Sequence, residues 1–132
     1  MQHKTSELTG GYLDFAVALA EGLQPRLHRF APDAALLCHV RTAHEDEPTQ
    51  IYSRLFCPST NWDRGGPIIE RERIALNPPG NHPSDQWWAG FNVQAGDGPG
   101  IYMDDDAFGP TPLIAAMRAF VRRRFGETVE LP

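Results

Sequence analysis

The sequence predicts an α+β domain in which a mainly antiparallel sheet of about four to five strands packs with an N-terminal helix, a short central helix and a C-terminal helix. Three observations lead there. Apolar residues recur at helical spacing near both ends of the chain. Between those ends, short runs alternate apolar and polar residues at strand spacing. Clusters of Gly, Pro, Asn and Asp separate the runs. At 132 residues, with no long linker and no repeat, the chain reads as a single domain over 1–132.

The first helix is expected to start after Thr9 and to end at Gly22 and Pro25. Tyr12, Phe15, Ala16, Leu19 and Leu23 would form its buried face, leaving Asp14 and Glu21 outside. Residues 24–32 read as irregular. Leu36, Cys38 and Val40 then alternate with Leu37, His39 and Arg41, and Ile51, Ser53 and Leu55 with Tyr52, Arg54 and Phe56. With the polar turn His44–Pro48 between them, these two runs predict a hairpin.

The hairpin delivers the chain into Cys57–Ile74, where hydroxyls, an amide, a Trp, a glycine pair and charges crowd together. Gly66 as N-cap and Pro67 at the first helical position predict a short helix from Pro67 to about Arg73. Ile74–Leu76 is a further strand piece, 77–83 is turn residues throughout, and Gln86–Val93 is a strand. On that strand Trp87, Ala89, Phe91 and Val93 form the apolar face, so Trp88 needs separate cover. Residues 94–100 read as a glycine-rich hairpin turn into Ile101–Met103. In the last helix, Thr111 is the cap, Pro112 the first residue and Gly126 the stop. Leu113, Ile114, Met117, Phe120, Val121 and Phe125 mark its inner side, and Arg122, Arg123 and Arg124 sit in its last turn. Val129 and Leu131 suggest a short edge strand.

The chain carries 12 basic and 17 acidic residues, a net charge of −5. That balance argues against general nucleic-acid binding, which needs a basic surface, though not against a local basic patch. The first nine residues are polar and no apolar run approaches a membrane span. Together these features predict a cytoplasmic protein without membrane attachment. Cys38 and Cys57 are expected to be free thiols, Cys38 as a buried strand residue. No motif implies a cofactor.

The candidate ligand-binding residues are Ser59, Thr60, Asn61, Trp62, Gly65, Gly66, Arg71 and Arg118. Hydroxyls, an amide and the amides of a helix start can hold the anionic part of a small ligand. Trp62 would stack on a flat part, and Arg71 or Arg118 would neutralise charge. The structural alternative is a glycine turn whose hydroxyls merely cap the helix.

Three blocks of residues resemble the NinX-like family of phage and prophage proteins. They are Lys4–Gly10 with Leu13-Asp14, Ala16–Ala18 and Glu21-Gly22; Pro58–Trp62 with Gly65–Glu70; and Gly109–Arg118 with Gly126 and Val129. The resemblance implies a small cytoplasmic protein made in a bacterial host cell from phage-derived DNA, of a family without an established activity. Asn61 stands where the family pattern favours Asp, and Asn can neither act as a general base nor carry negative charge. That departure favours binding over catalysis.

The leading expectation is therefore a non-enzymatic binder of a small anionic or nucleotide-like ligand. A metal-dependent hydrolase or nuclease is the first alternative, using Asp63, Glu70, His82 or the run Asp104–Asp106. A protein-interaction module with an apolar patch around Trp88 or Phe108 is the second. A homodimer is compatible with each.

Overall fold

The computed structural model describes residues 1–43, 51–80, 85–94 and 101–132. Along the chain lie β1 (Gln2–Lys4), a 3-10 turn (Thr5–Glu7), α1 (Gly10–Ala20), β2 (Pro25–His28), β3 (Leu37–Ala43) and β4 (Ile51–Leu55). There follow α2 (Trp62–Glu72), β5 (Ile74–Asn77), β6 (Trp87–Gln94), β7 (Ile101–Gly109), α3 (Pro112–Phe125) and β8 (Thr128–Glu130). The fold is α+β, as expected. Its strands form three small antiparallel sheets rather than one: β1–β8, β2–β3–β4 and β5–β6–β7.

Helix α3 packs directly against two of these sheets and meets β2–β3–β4 through α1. It packs on α1, α2, β5, β6, β7, β8 and the 3-10 turn. Thr111 Oγ1 accepts the amide of Ile114 at 3.1 Å, Pro112 opens the helix, and Gly126 ends it at φ 86°. All three were legible locally, because a cap, a first-turn proline and a positive-φ glycine act on neighbouring backbone. Leu113, Ala115, Ala116, Met117, Ala119, Phe120 and Val121 are buried. The alanines let other backbone come close: a Cβ built on Gly109, at the end of β7, would lie 2.7 Å from the amide nitrogen of Ala115.

Helix α1 departs from the expected single face. Gly11, Leu13, Asp14, Phe15, Ala16, Val17 and Ala18 are all buried, while Leu23 is exposed. The helix lies between α3 and the strands β2 and β3, so two sides are covered rather than one. Asp14, expected outside, is 4% exposed. The supposedly irregular stretch after α1 contains β2, which pairs with β3 from Pro25↔Val40 to His28↔Leu37. A proline is tolerated there because β2 is an edge strand.

The hairpin of β3 and β4 is present, with His39 opposite Leu55, although its turn, His44–Pro48, lies outside the described residues. The same holds for 95–100 of the glycine-rich turn and for 81–84, which include His82. Strand β7 is longer than expected and contains Asp104–Asp106. It pairs with β6 over most of its length, through a bulge at Ala89/Phe91. Trp88 finds structural cover: its ring stacks on Phe108 at 6.1 Å between centroids, and its Nε1 donates to Asp106 Oδ2 at 2.7 Å. Asp106 also faces Arg122, and Asp105 faces Arg123, so two of the three acidic side chains serve the sheet and the end of α3.

Candidate functional site

The largest correction concerns α2. It begins at Trp62, five residues before the expected proline start, and ends at Glu72. Asn61 is the N-cap, accepting the Asp63 amide on Oδ1 at 2.9 Å. Gly65, Gly66 and Pro67 therefore lie inside the helix. Proline lacks an N–H, and it disfavours helical backbone in the preceding residue through a clash that involves that residue's Cβ. Gly66 has no Cβ, so the helix can run through. Gly65 serves packing: a Cβ there would lie 2.4 Å from Pro58 O and 2.6 Å from Leu113 Cδ2. Neither glycine opens a turn.

Cys57–Thr60 forms the turn that feeds α2. The amides of Thr60 and Asn61 donate to Cys57 O at 3.2 and 2.9 Å. Ser59 is buried, and its amide donates to Asp14 Oδ1 at 2.9 Å, which ties the turn to α1. The Ser59 hydroxyl lies near enough to that carboxylate to favour its charged form. It falls short of hydrogen-bond geometry, so Oγ is buried without a formed bond. Burial is the larger influence on Asp14 and raises its pKa from 3.8 to about 6, against the opposing influence of the Ser59 hydroxyl and amide.

A cavity of about 230 Å³ opens beside this turn. It is lined by Ser59, Thr60 and Trp62 on one side and by Thr111, Pro112, Leu113 and Ile114 on the other. Two helix starts thus share one hollow, and each brings partial positive charge. Within α2, Asn61 engages the amides of Asp63, Arg64 and Gly65. Within α3, Thr111 engages those of Ile114 and Ala115, and Pro112 has none. That leaves Trp62 and Leu113 as first-turn amides not engaged by these caps. Trp62 is 52% exposed, unusual for so large an apolar residue and consistent with a platform for a flat molecule.

Of the sequence candidates, the structure brings Ser59, Thr60 and Trp62 to the cavity. Asn61 and Gly65 hold the helix start that frames it, and Gly66 lies one turn along. The two arginines are elsewhere. Arg71 pairs with Glu21 and Glu72, and its pKa is raised, first by the hydrogen bond to Glu21. Arg118 donates from Nε to Leu8 O and from a terminal nitrogen to Phe108 O, both at 2.8 Å. Burial lowers its pKa. It clasps the chain before α1 to the end of β7. Arg118→Met, which leaves both carbonyls without that donor, is expected to reduce stability by about 1–3 kcal/mol in urea unfolding.

Asp14 and the start of α3 belong to the site although the sequence did not mark them as part of it. A lone carboxylate inside the apolar run Leu13–Ala18 was the available signal for Asp14. Thr111-Pro112 has the pattern of an ordinary cap, and only the tertiary fold sets it against Trp62. Among the alternatives, Asp63 and Glu70 are exposed on α2. Among the described residues no three His, Cys, Asp or Glu side chains are grouped to hold a metal. The Cys38 thiol is pushed up to about 12, first by burial and then by the charges of Asp14 and Cys57, which makes it a poor nucleophile. No helix among the described residues is long and apolar enough to cross a membrane.

No curated protein matches the chain significantly. The family described as Bacteriophage P22, NinX matches residues 4–124, which include both helix starts, the Ser59 turn, Asp14 and Arg118. The chain belongs to this phage NinX family.

Proposed function

We propose that the protein is a non-enzymatic binder of a small, flat ligand that carries an oxygen-rich or anionic group, with a nucleotide-like molecule as the preferred class. The observation that carries this reading is the shared hollow of two helix starts beside an exposed indole and a buried hydroxyl without a formed bond. The unengaged amides of Trp62 and Leu113, with the hydroxyls of Thr60 and Thr111, would receive the oxygens. Trp62 would stack on the ring. The helix ends take the charge-neutralising part first given to Arg71 and Arg118. At about 230 Å³ the cavity is smaller than the roughly 300 Å³ at which drug-sized sites begin, so it would enclose only part of a nucleotide, the remainder staying outside. In a bacterial cytoplasm, a phage-derived binder of this kind would sequester a host nucleotide signal, an anti-defence or host-modulating role reached by analogy alone.

A thermal-shift series with the ribonucleoside monophosphates and inorganic phosphate tests the reading. A monophosphate present at about ten times its Kd should raise the melting temperature by about 5 °C. Trp62→Ala should remove that rise. No shift with any nucleotide or phosphorylated metabolite would contradict the proposal.

A further inference from the structure

A second surface, away from the cavity, has the character of a single-stranded nucleic-acid platform. In the sheet β2–β3–β4, Leu27, Cys38 and Val40 face inward to α1 and the core. Side chains alternate across a strand, so Arg26, His28, Leu37, His39, Arg41, Ser53 and Leu55 share the outer face. Among the described positions of that face there is no acidic residue, in a chain of net charge −5. Arg26 lies opposite His39, and Arg41 follows two residues on, so the two exposed arginines stand at diagonal positions of the sheet, their backbones roughly 7–8 Å apart.

Beside them Phe30 is 75% exposed. It is nevertheless held in place. Its ring meets His28 edge to face at 4.7 Å and His39 at 6.4 Å, and the two imidazoles are 5.8 Å apart. Leu55, 44% exposed, lies opposite His39 on the same face. An open aromatic ring braced by imidazoles suits stacking on a base, which any base permits. Two guanidiniums at neighbouring positions suit successive phosphates of one strand. A duplex hides its base faces and cannot use Phe30 in this way.

We infer that the outer face of β2–β3–β4 binds single-stranded nucleic acid, through base stacking on Phe30 and phosphate contacts from Arg26 and Arg41. This is a local patch, not the general nucleic-acid binding that the acidic composition argues against. It shares no residue with the cavity, so either site can fail without the other.

The test is fluorescence anisotropy with labelled single-stranded DNA and RNA oligonucleotides of about 12 nucleotides, within the site sizes such surfaces cover. Saturable binding at low salt is expected, to DNA or to RNA, and more tightly than to a duplex of the same sequence. Phe30→Ala should weaken it about tenfold. The pair Arg26→Ala and Arg41→Ala should lower the slope of log K against log salt by about 1.4. Trp62→Ala should change nothing. All four substituted side chains are exposed, and circular dichroism confirms that each variant folds. Absence of saturable binding would overturn the inference. So would equal affinity for duplex with no effect of Phe30→Ala, or binding to anionic vesicles in place of oligonucleotides.

Discussion

Gly65→Ala is expected to lower the melting temperature by about 7–10 °C, the equivalent of about 2–3 kcal/mol for a domain of this size. The added methyl would stand 2.4 Å from Pro58 O, a backbone atom, and 2.6 Å from Leu113 Cδ2. The leucine can turn away, but the carbonyl moves only with the turn that carries Ser59. The strain therefore falls on the wall shared by α2 and α3, and ligand binding at the cavity should weaken as well. Glu70→Ala, at an exposed position of the same helix, is the control, with an expected effect within about 0.5 kcal/mol. Scanning calorimetry of the two variants reads the contrast. Equal melting temperatures would mean that α2 and α3 do not touch as described.

The second large effect is a dependence of stability on pH that belongs to one residue. The Asp14 carboxyl has a higher pKa folded, about 6, than its ordinary value of 3.8, because burial disfavours its charge. The folded state therefore holds this proton more tightly than the unfolded state does. The stability it brings is complete below about pH 4 and is lost as the pH rises through about 6. The full difference is on the order of 3 kcal/mol. Asp14→Asn keeps an oxygen for the Ser59 amide and carries no charge at any pH. Urea unfolding at pH 7.5 and pH 5 should show the parent gaining more stability on acidification than the Asn variant. The rest of the chain is identical in the two proteins, so its contributions cancel in the comparison. Parallel curves for the two proteins would place Asp14 in contact with water.

Much of the fold was legible because the signals were local. Thr111, Pro112 and Gly126 delimit α3, and alternation around Cys38 and Ser53 marks a hairpin. What escaped was made by distant partners. β1 is three mostly polar residues and exists because Gln2–Lys4 pairs with Thr128–Glu130, the short edge strand expected around Val129. β2 needs β3 in the same way. At α2 the local signals pointed wrongly. Gly-Gly-Pro reads as a helix start, yet Asn61 caps the helix ahead of it and close packing against Pro58 and Leu113 requires the first glycine. The site shows the same division. Ser59, Thr60 and Trp62 were found from their chemistry, while Asp14 was placed outside because one helical face was assumed. Arg118 has the chemistry of a counter-charge and is a clasp.

The amide spectrum of the isotopically labelled protein, titrated with a ribonucleoside monophosphate, tests the binding site most directly. Saturable shifts are expected at Ser59–Asp63, Leu113–Ala115 and the Trp62 indole and nowhere else, and none in Trp62→Ala. A spectrum that does not move, or one that moves only at residues far from the two helix starts, would contradict the proposed site.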